Sequence, residues 1–207
     1  MTGAPIALSR PLVPEEQARA DCYAVIARLF ADTPDRAILD ALANAPRLAE
    51  SNDVPLAAAW NRLADASGAM DAEAARQEYD DLFVGVGKSE VNLHGSHWRA
   101  GFMMEKPLAE LRADLAALGL ARKGAATMVE DHASALCETM RLLIAGEAGR
   151  DPAPLDVQRN FFRKQLLPWI FDCCDAIDRC SLANYYRRVA EFVRLFMAVE
   201  RDSLAMD

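Results

Sequence analysis

The sequence predicts an all-α protein, folded over residues 1–207 as a single-domain bundle of about eight to ten helices. Its composition favours helices, because 39 alanines stand against only 21 valines, isoleucines and threonines together. Alanine has the highest helix propensity, whereas β-branched residues are favoured in strands. No stretch sustains the apolar–polar alternation of a strand, and neither Asn-Gly nor Asp-Gly marks a hairpin.

Prolines and capping residues mark the helix starts in the first third of the chain. Prolines keep residues 1–13 irregular, and Pro14, followed by two glutamates, begins the first helix. Asp35 and Asp71 are predicted to cap the second and fourth helices, because an N-cap aspartate accepts a backbone hydrogen bond. Pro55 opens the third helix. The first helix is predicted to carry an apolar stripe of Ala18, Cys22, Val25, Ile26, Leu29 and Phe30.

Further helices are predicted after position 106. Pro107 begins one that Gly119 ends. The clearest amphipathic helix carries the stripe Val129, Ala133, Leu136, Cys137, Met140, Leu143 and Ile144. Pro168 is predicted to lie in the first turn of the next-to-last helix, which buries Ile170, Cys173 or Cys174, and Ile177. The last helix is predicted to carry Leu182, Tyr186, Val189, Phe192, Val193, Phe196 and Val199.

A glycine-rich segment interrupts this pattern. Four of the ten glycines fall between positions 85 and 101, which predicts one long functional loop over residues 84–101. Gly87-Lys88-Ser89 within it resembles part of a phosphate-binding loop. That motif also needs a glycine where Leu82 stands and a buried strand before it, so a nucleotide-cradling loop is not expected.

The charge balance narrows the classes of partner. A net charge of −8 argues against general binding of nucleic acid or of anionic membranes, and favours a basic partner. No apolar run is long enough for a membrane span, and the N-terminal residues have no secretory pattern. We therefore expect a cytoplasmic protein that binds no nucleic acid and associates with no membrane stably.

Histidines and cysteines give weak support for a metal or redox site. His94 and His97 lack a third ligand nearby, and loop-surface positions are the simpler expectation for them. The five cysteines have no zinc-like or redox spacing, so burial as small apolar side chains is the better interpretation for most of them. We expect no metal and no cofactor.

The polar sequence Glu130-Asp131-His132 stands at the start of an otherwise apolar helix. His132 precedes Leu136 by four residues and is expected to face inward. An Asp-His pair can serve as a general base, although no nucleophile can be placed beside it from the sequence. A helix start whose acids favour the helix dipole is at least as good an interpretation.

Four short motifs follow one another between positions 79 and 169. Tyr79–Gly85 has the pattern Y-x-x-L-F-x-G, and Ser96–Met104 is a serine-aromatic-glycine segment. These stretches resemble the signatures of the TorD/DmsD-type chaperone family, whose members mature molybdopterin-containing redox enzymes. Asp131-His132 matches the end of its E-P-x-D-H motif, although Met128-Val129 replaces Glu-Pro. Residues 158–169 resemble its Q-x-x-F-x-x-x-H-L-x-P-W segment, with Gln165 in place of the histidine.

The resemblance implies binding rather than catalysis. Such chaperones hold the twin-arginine leader, the body, or both, of an apo molybdoenzyme catalytic subunit until its cofactor is inserted. Residues 85–91 and 104–112 resemble members that accompany formate dehydrogenases, and a DMSO reductase-like enzyme is the other expected client. A monomer or a domain-swapped homodimer is expected. The candidate peptide-binding residues are Phe83, Glu90, Leu93, Ser96, Trp98, Phe102, Glu130, Asp131 and His132.

The physical character of these residues fits a leader peptide. Aromatic and aliphatic side chains can line an apolar pocket, and the acidic ones can meet arginines as charge-assisted pairs. Core packing is the competing interpretation for the aromatic residues. Two other classes remain open: a nucleotide- or metal-dependent hydrolytic enzyme using Asp131 and His132, and a dimeric helical scaffold.

Overall fold

The computed structural model describes residues 12–50, 54–85, 88–101, 106–121, 128–147 and 149–206. Within these ranges the regular structure is helical, which confirms the predicted all-α class. The first five helices are α1 (Pro14–Ala31), α2 (Arg36–Ala43), α3 (Pro55–Ala69), α4 (Ala72–Tyr79) and α5 (Gly95–Ala100). The next five are α6 (Lys106–Ala117), α7 (Ala133–Ala145), α8 (Leu155–Phe161), α9 (Ile170–Arg179) and α10 (Tyr185–Ser203).

Most of the predicted helix starts are confirmed. Pro14 and Pro55 each occupy the first turn of their helix. Asp35 accepts a hydrogen bond from the backbone N–H of Ile38 at 2.9 Å. Asp71 caps α4 in the same way, through two backbone N–H groups. These starts depend on neighbours in sequence, so the pattern of residues suffices to predict them.

The core connects the two ends of the chain. α1 packs along α7, and α10 packs against α3 and α9. Buried residues from α1 to the end of α10 form one hydrophobic cluster, whose largest fully buried members include Trp169, Tyr23, Tyr185, Tyr186, Phe30, Phe162 and Phe192. No helix in the described ranges is both long and apolar enough to cross a membrane. Of the predicted irregular N-terminus, residues 1–11 lie outside the described residues, and 12–13 are not helical.

α4 continues into a π-helical segment, Asp80–Val84, that ends at a glycine. Gly85 has a φ of +62°, a backbone conformation that glycine adopts more readily than residues with a Cβ atom. The segment that precedes Gly87-Lys88-Ser89 is thus helical and not a strand, which agrees with the rejection of a phosphate-binding loop. Val86 and Gly87 themselves lie outside the described residues.

The prediction of one continuous loop over residues 84–101 was wrong. Residues 95–100 form helix α5, and the irregular part that is described covers 88–94. The backbone N–H of Ser96, in the first turn of α5, donates to a carboxylate oxygen of Asp131. That partner lies 35 residues away in the sequence, so local patterns gave no sign of it.

Two further boundaries differ from the prediction. Helix α7 begins at Ala133, so Val129 precedes it and His132 is its N-cap residue. Pro168 lies in the turn before α9, not in its first helical turn. A second π-helical segment, Phe162–Leu166, extends α8, and the N–H of Trp169 closes the following turn on the carbonyl of Leu166.

The predicted stripe of the last helix is correct in its centre and wrong at its ends. Leu182 is 50% exposed and Val199 49% exposed, whereas the intervening positions are buried. α10 begins only at Tyr185, because the buried carboxylate of Glu78 accepts hydrogen bonds from the backbone N–H groups of Asn184, Tyr185 and Tyr186. Leu182 therefore stands outside the helix. Both Cys173 and Cys174 are buried.

Candidate functional site

Two irregular segments, one before α5 and one before α7, meet through backbone hydrogen bonds. The N–H of Gly95 donates to the carbonyl of Asp131 at 2.9 Å, and the N–H of Ala133 donates to the carbonyl of Leu93 at 2.8 Å. These bonds form an antiparallel bridge between His94 and His132. The pairing brings the start of α5 against the start of α7.

The carboxylate of Asp131 lies between these two helix starts. Its Oδ2 accepts a hydrogen bond from the backbone N–H of Ser96 at 2.9 Å. Its Oδ1 is buried and has no hydrogen-bond partner among the described residues. Since Asp131 is only 4% exposed, the remaining acceptor capacity is held away from bulk water. A donor that reached this oxygen would form a charge-assisted hydrogen bond.

His132 stabilises the start of α7. Its Nδ1 accepts a hydrogen bond from the backbone N–H of Ser134 at 3.2 Å, so the proton of the neutral ring is on Nε2. The ring lies edge to face with that of His94, with centroids 4.9 Å apart. Burial, and then the charge of His94, lower the pKa of His132 to about 4. Burial also lowers the pKa of His94.

This geometry does not support a catalytic Asp-His pair. Asp131 bonds to the start of α5, and the Nδ1 of His132 bonds to the start of α7, so each side chain holds a different backbone segment. His94 and His97 are both half-buried, and His97 lies in α5 rather than in a loop as expected. In the part of the chain described, no group of three or more His, Cys, Asp or Glu residues is arranged to hold a metal.

The predicted aromatic and apolar contacts are divided between core and surface. Leu93 and Ser96 are buried, at 3% and 1% exposed, so they support the bridge rather than present a surface. Trp98 is half-buried, and its Nε1–H donates to the carbonyl of Asn92 at 2.8 Å. Phe83 is half-buried and packs against the hydrophobic core, with its ring 4.9 Å from that of Tyr186. Core packing is thus a large part of the role of Phe83.

The remaining predicted residues differ in what they offer a ligand. Glu90 is exposed. Glu130 is half-buried and accepts a hydrogen bond from Arg112 of α6 at 3.0 Å. Phe102 lies outside the described residues. The structure therefore brings together Leu93, Ser96, Trp98, Asp131 and His132, with Glu130 adjoining them.

An apolar groove that the sequence analysis missed adjoins Glu130. It has a volume of about 250 Å³ and is lined by Leu115, Leu120, Ala121, Met128, Glu130, Ala135, Thr139 and Leu142. Glu130 is its one charged lining residue among those described. Leu115 lies in the helix that was predicted to begin at Pro107, but which helix it faces depends on tertiary packing.

Three of the five cysteine thiols are buried in the hydrophobic core. Cys137, Cys173 and Cys174 are buried, and burial raises the pKa of Cys174 to about 12. A buried thiol with a raised pKa carries little of the reactive thiolate at neutral pH. The prediction that these cysteines act as small apolar residues is confirmed for the three.

The fold agrees with a solved structure of a maturation protein. The chain matches the crystal structure of a redox enzyme maturation protein from Archaeoglobus fulgidus with a TM-score of 0.57. The match covers 92% of this chain and 98% of the other, at 17% sequence identity, and it shows a shared fold. The comparison with curated proteins finds no match.

The match to a family model defines the class to which this all-α bundle belongs. The model of the nitrate reductase delta subunit family matches residues 49–175, more than half of the chain. The protein therefore belongs to this family of redox enzyme maturation chaperones, which includes the TorD-type proteins whose motifs it resembles. The family is one of chaperones and not of catalytic enzymes, so the hydrolytic alternative is wrong.

Proposed function

We propose that this chaperone binds the twin-arginine leader of a molybdopterin-dependent apo-enzyme, and so delays export until the cofactor has been inserted. A formate dehydrogenase is the first client to test, and a DMSO reductase-like enzyme the second. The proposal places the protein in the cytoplasm as one domain, acting as a monomer or a domain-swapped homodimer. The observation that carries it is the apolar groove that ends at Glu130.

The groove fits the two chemical halves of a leader. A leader has a basic start followed by an apolar stretch, and the groove has leucine and methionine side chains beside one carboxylate. Helical or extended apolar segments bind such grooves through the area of surface that they bury. Burial of leucine-sized side chains favours binding at about 25 cal/mol per Å², and the loss of freedom of the peptide offsets part of that gain.

The carboxylate of Glu130 can exchange its ion pair with Arg112 for one with an arginine of the leader. It is now bound to Arg112, whose side chain is 56% exposed while that of Glu130 is 19% exposed. A leader arginine that replaces Arg112 keeps an arginine on the carboxylate, and the exposed Arg112 side chain returns to water, so the exchange costs little. The net charge of −8 adds a long-range attraction for the basic part of the peptide.

The bridge beside the groove supplies the second acidic group. The Oδ1 of Asp131 has no hydrogen-bond partner among the described residues, and it would accept a donor from a leader that reached it. Glu90 is exposed and adds negative charge to the same approach. Leu93, Ser96 and His132 contribute by holding the two segments in register, and Phe83 and Phe102 complete the set of proposed contacts.

The experiment is a calorimetric titration with a peptide that copies a formate dehydrogenase leader, alongside the same peptide with both arginines replaced by alanine. Glu130→Gln and Leu120→Glu are expected to weaken binding at least about tenfold. Glu138→Gln and Leu155→Glu are matched controls, because they make the same changes at an ion pair and an apolar residue outside the groove.

Each result decides one part of the proposal. If neither this leader nor other molybdoenzyme leaders bind to the folded protein, leader recognition is wrong. If leaders bind equally well to the groove variants and to their controls, the proposed location is wrong.

A further inference from the structure

A second cleft lies between the π-helical segment Phe162–Leu166 and the C-terminal end of α10. Its volume is about 410 Å³, within the range of about 300–1,000 Å³ that is typical of small-molecule sites. Its lining combines three arginines with apolar side chains: Arg159, Arg163, Arg201, Phe162, Leu167 and Leu204. No described residue that lines this cleft is an aspartate or a glutamate.

The concentration of arginines is unusual for an acidic protein. Most arginines of the described chain are bound to a carboxylate, as Arg62 is to Glu191 at 2.7 Å. No carboxylate among the described residues lies within 4 Å of the Arg163 guanidinium. Three arginine side chains thus line one cleft of a protein whose net charge is −8, and one of them, Arg201, is paired with Asp202.

Arg201 is held in place at the edge of the cleft. Its Nε–H donates to Asp202 at 2.8 Å, and its guanidinium lies over the ring of Phe171, 5.7 Å from the centroid. These contacts leave the terminal N–H groups of the guanidinium available for another acceptor. An arginine oriented in this way loses less conformational entropy when it binds an anion.

We propose that this cleft binds a small molecule that carries a phosphate group. Phosphate oxygens accept paired hydrogen bonds from guanidinium groups, which makes arginine the preferred residue for phosphate recognition. The apolar wall of Phe162, Leu167 and Leu204 accommodates a non-polar part of the same ligand.

This site is separate from the proposed leader groove. The two clefts have no lining residue in common, since the groove is formed by α6, α7 and the residues between them, and the arginine cleft by α8, its π-helical extension and α10. Anion binding is therefore expected whether or not leader binding is confirmed.

The test compares the binding of phenyl phosphate, inorganic phosphate and inorganic sulfate by calorimetry. Phenyl phosphate is expected to bind saturably and more tightly than inorganic phosphate, because it fills both the charged and the apolar parts of the cleft. Arg163→Gln combined with Arg201→Gln is expected to weaken its binding at least about tenfold. Arg179→Gln is the matched control, since Arg179 is also exposed and has no carboxylate within 4 Å among the described residues.

The outcomes separate the proposal from its alternatives. Saturable binding that the double variant loses and the Arg179→Gln variant keeps supports the site, provided that circular dichroism shows both variants folded. An absence of saturable phenyl phosphate binding at millimolar concentrations overturns the proposal. Equal binding by the double variant and the control also overturns it. A preference for an aspartate-rich peptide over phenyl phosphate would replace the small molecule with an acidic protein segment.

Discussion

The carboxylate of Asp131 accepts a hydrogen bond from the backbone N–H of Ser96 at 2.9 Å, and thereby joins the start of helix α5 to the start of helix α7. The two residues are 35 positions apart, and both are almost completely buried. The bond supplies an acceptor for a backbone N–H in the first turn of α5 and ties that turn to the segment before α7. It also leaves the second carboxylate oxygen of Asp131 without a partner among the described residues.

Replacement of Asp131 by alanine is expected to destabilise the protein by about 2 kcal/mol, because it leaves the buried N–H of Ser96 without its acceptor. Chemical denaturation with urea measures this change. Asp35→Ala is the control, since Asp35 caps α2 at an exposed position, and it should cost about 1 kcal/mol or less. If the two variants lost equal stability, the burial of the Asp131–Ser96 hydrogen bond would not explain the effect.

Stability is expected to fall as the pH drops from about 6.5 towards 4, because His132 is neutral in the folded protein. Its pKa is lowered from 6.5 to about 4, so the unfolded chain binds a proton more readily across this window. The loss is on the order of 3 kcal/mol at the acid end.

The measurement for His132 is the free energy of unfolding at several pH values, compared with the His132→Asn variant. Asparagine keeps an acceptor for the N-cap position of α7 and does not titrate. The difference in the free energy of unfolding between the unmodified protein and the variant should shrink or change sign as the pH falls. A difference that stays constant from pH 7 to pH 4 would show that His132 is not responsible.

Replacement of Glu200 by glutamine is expected to cost about 3–5 kcal/mol, because it removes one charge of a buried ion pair. Glu200 is 1% exposed and accepts two hydrogen bonds from Arg19, at 2.7 and 2.9 Å, and one from Tyr23 at 3.0 Å. Thermal unfolding measures the loss.

The control for this pair is Asp40→Asn, which breaks the exposed i,i+4 ion pair with Arg36. It should change the stability by less than about 1 kcal/mol, because an exposed pair gains little in water. A similar effect of the two substitutions would mean that the Arg19–Glu200 pair is not a buried connection between α1 and α10.

The two glycines at positions 68 and 95 are expected to respond in opposite directions to alanine. A Cβ at Gly95 would lie 2.9 Å from the Nε1 of the buried Trp169, so Gly95→Ala should destabilise by about 1–3 kcal/mol. At Gly68, inside α3, the nearest atom would be 3.5 Å away, and the substitution should stabilise by about 0.5–1 kcal/mol. Denaturation midpoints of the two variants on either side of the unmodified protein would agree with this packing.

Several features followed directly from the sequence. The excess of alanine, the proline at the start of α1 and the caps at Asp35 and Asp71 act within a few residues, so they predicted the helical class and the early boundaries. The order of four short motifs also predicted the chaperone family that the family comparison shows. Local physical chemistry and motif order were sufficient for these conclusions.

The tertiary structure alone decided which distant residues meet. Asp131 accepts a hydrogen bond from Ser96, and Glu78 accepts one from the N–H of Tyr185 at the start of α10. Arg163 lines a cleft together with Arg201. Each of these contacts joins segments far apart in the chain, and its energy depends on burial that the packed helices create. The sequence by itself determined the helices and the family. The candidate surfaces were decided by the packing, because burial and charge grouping arise only when separate helices come together.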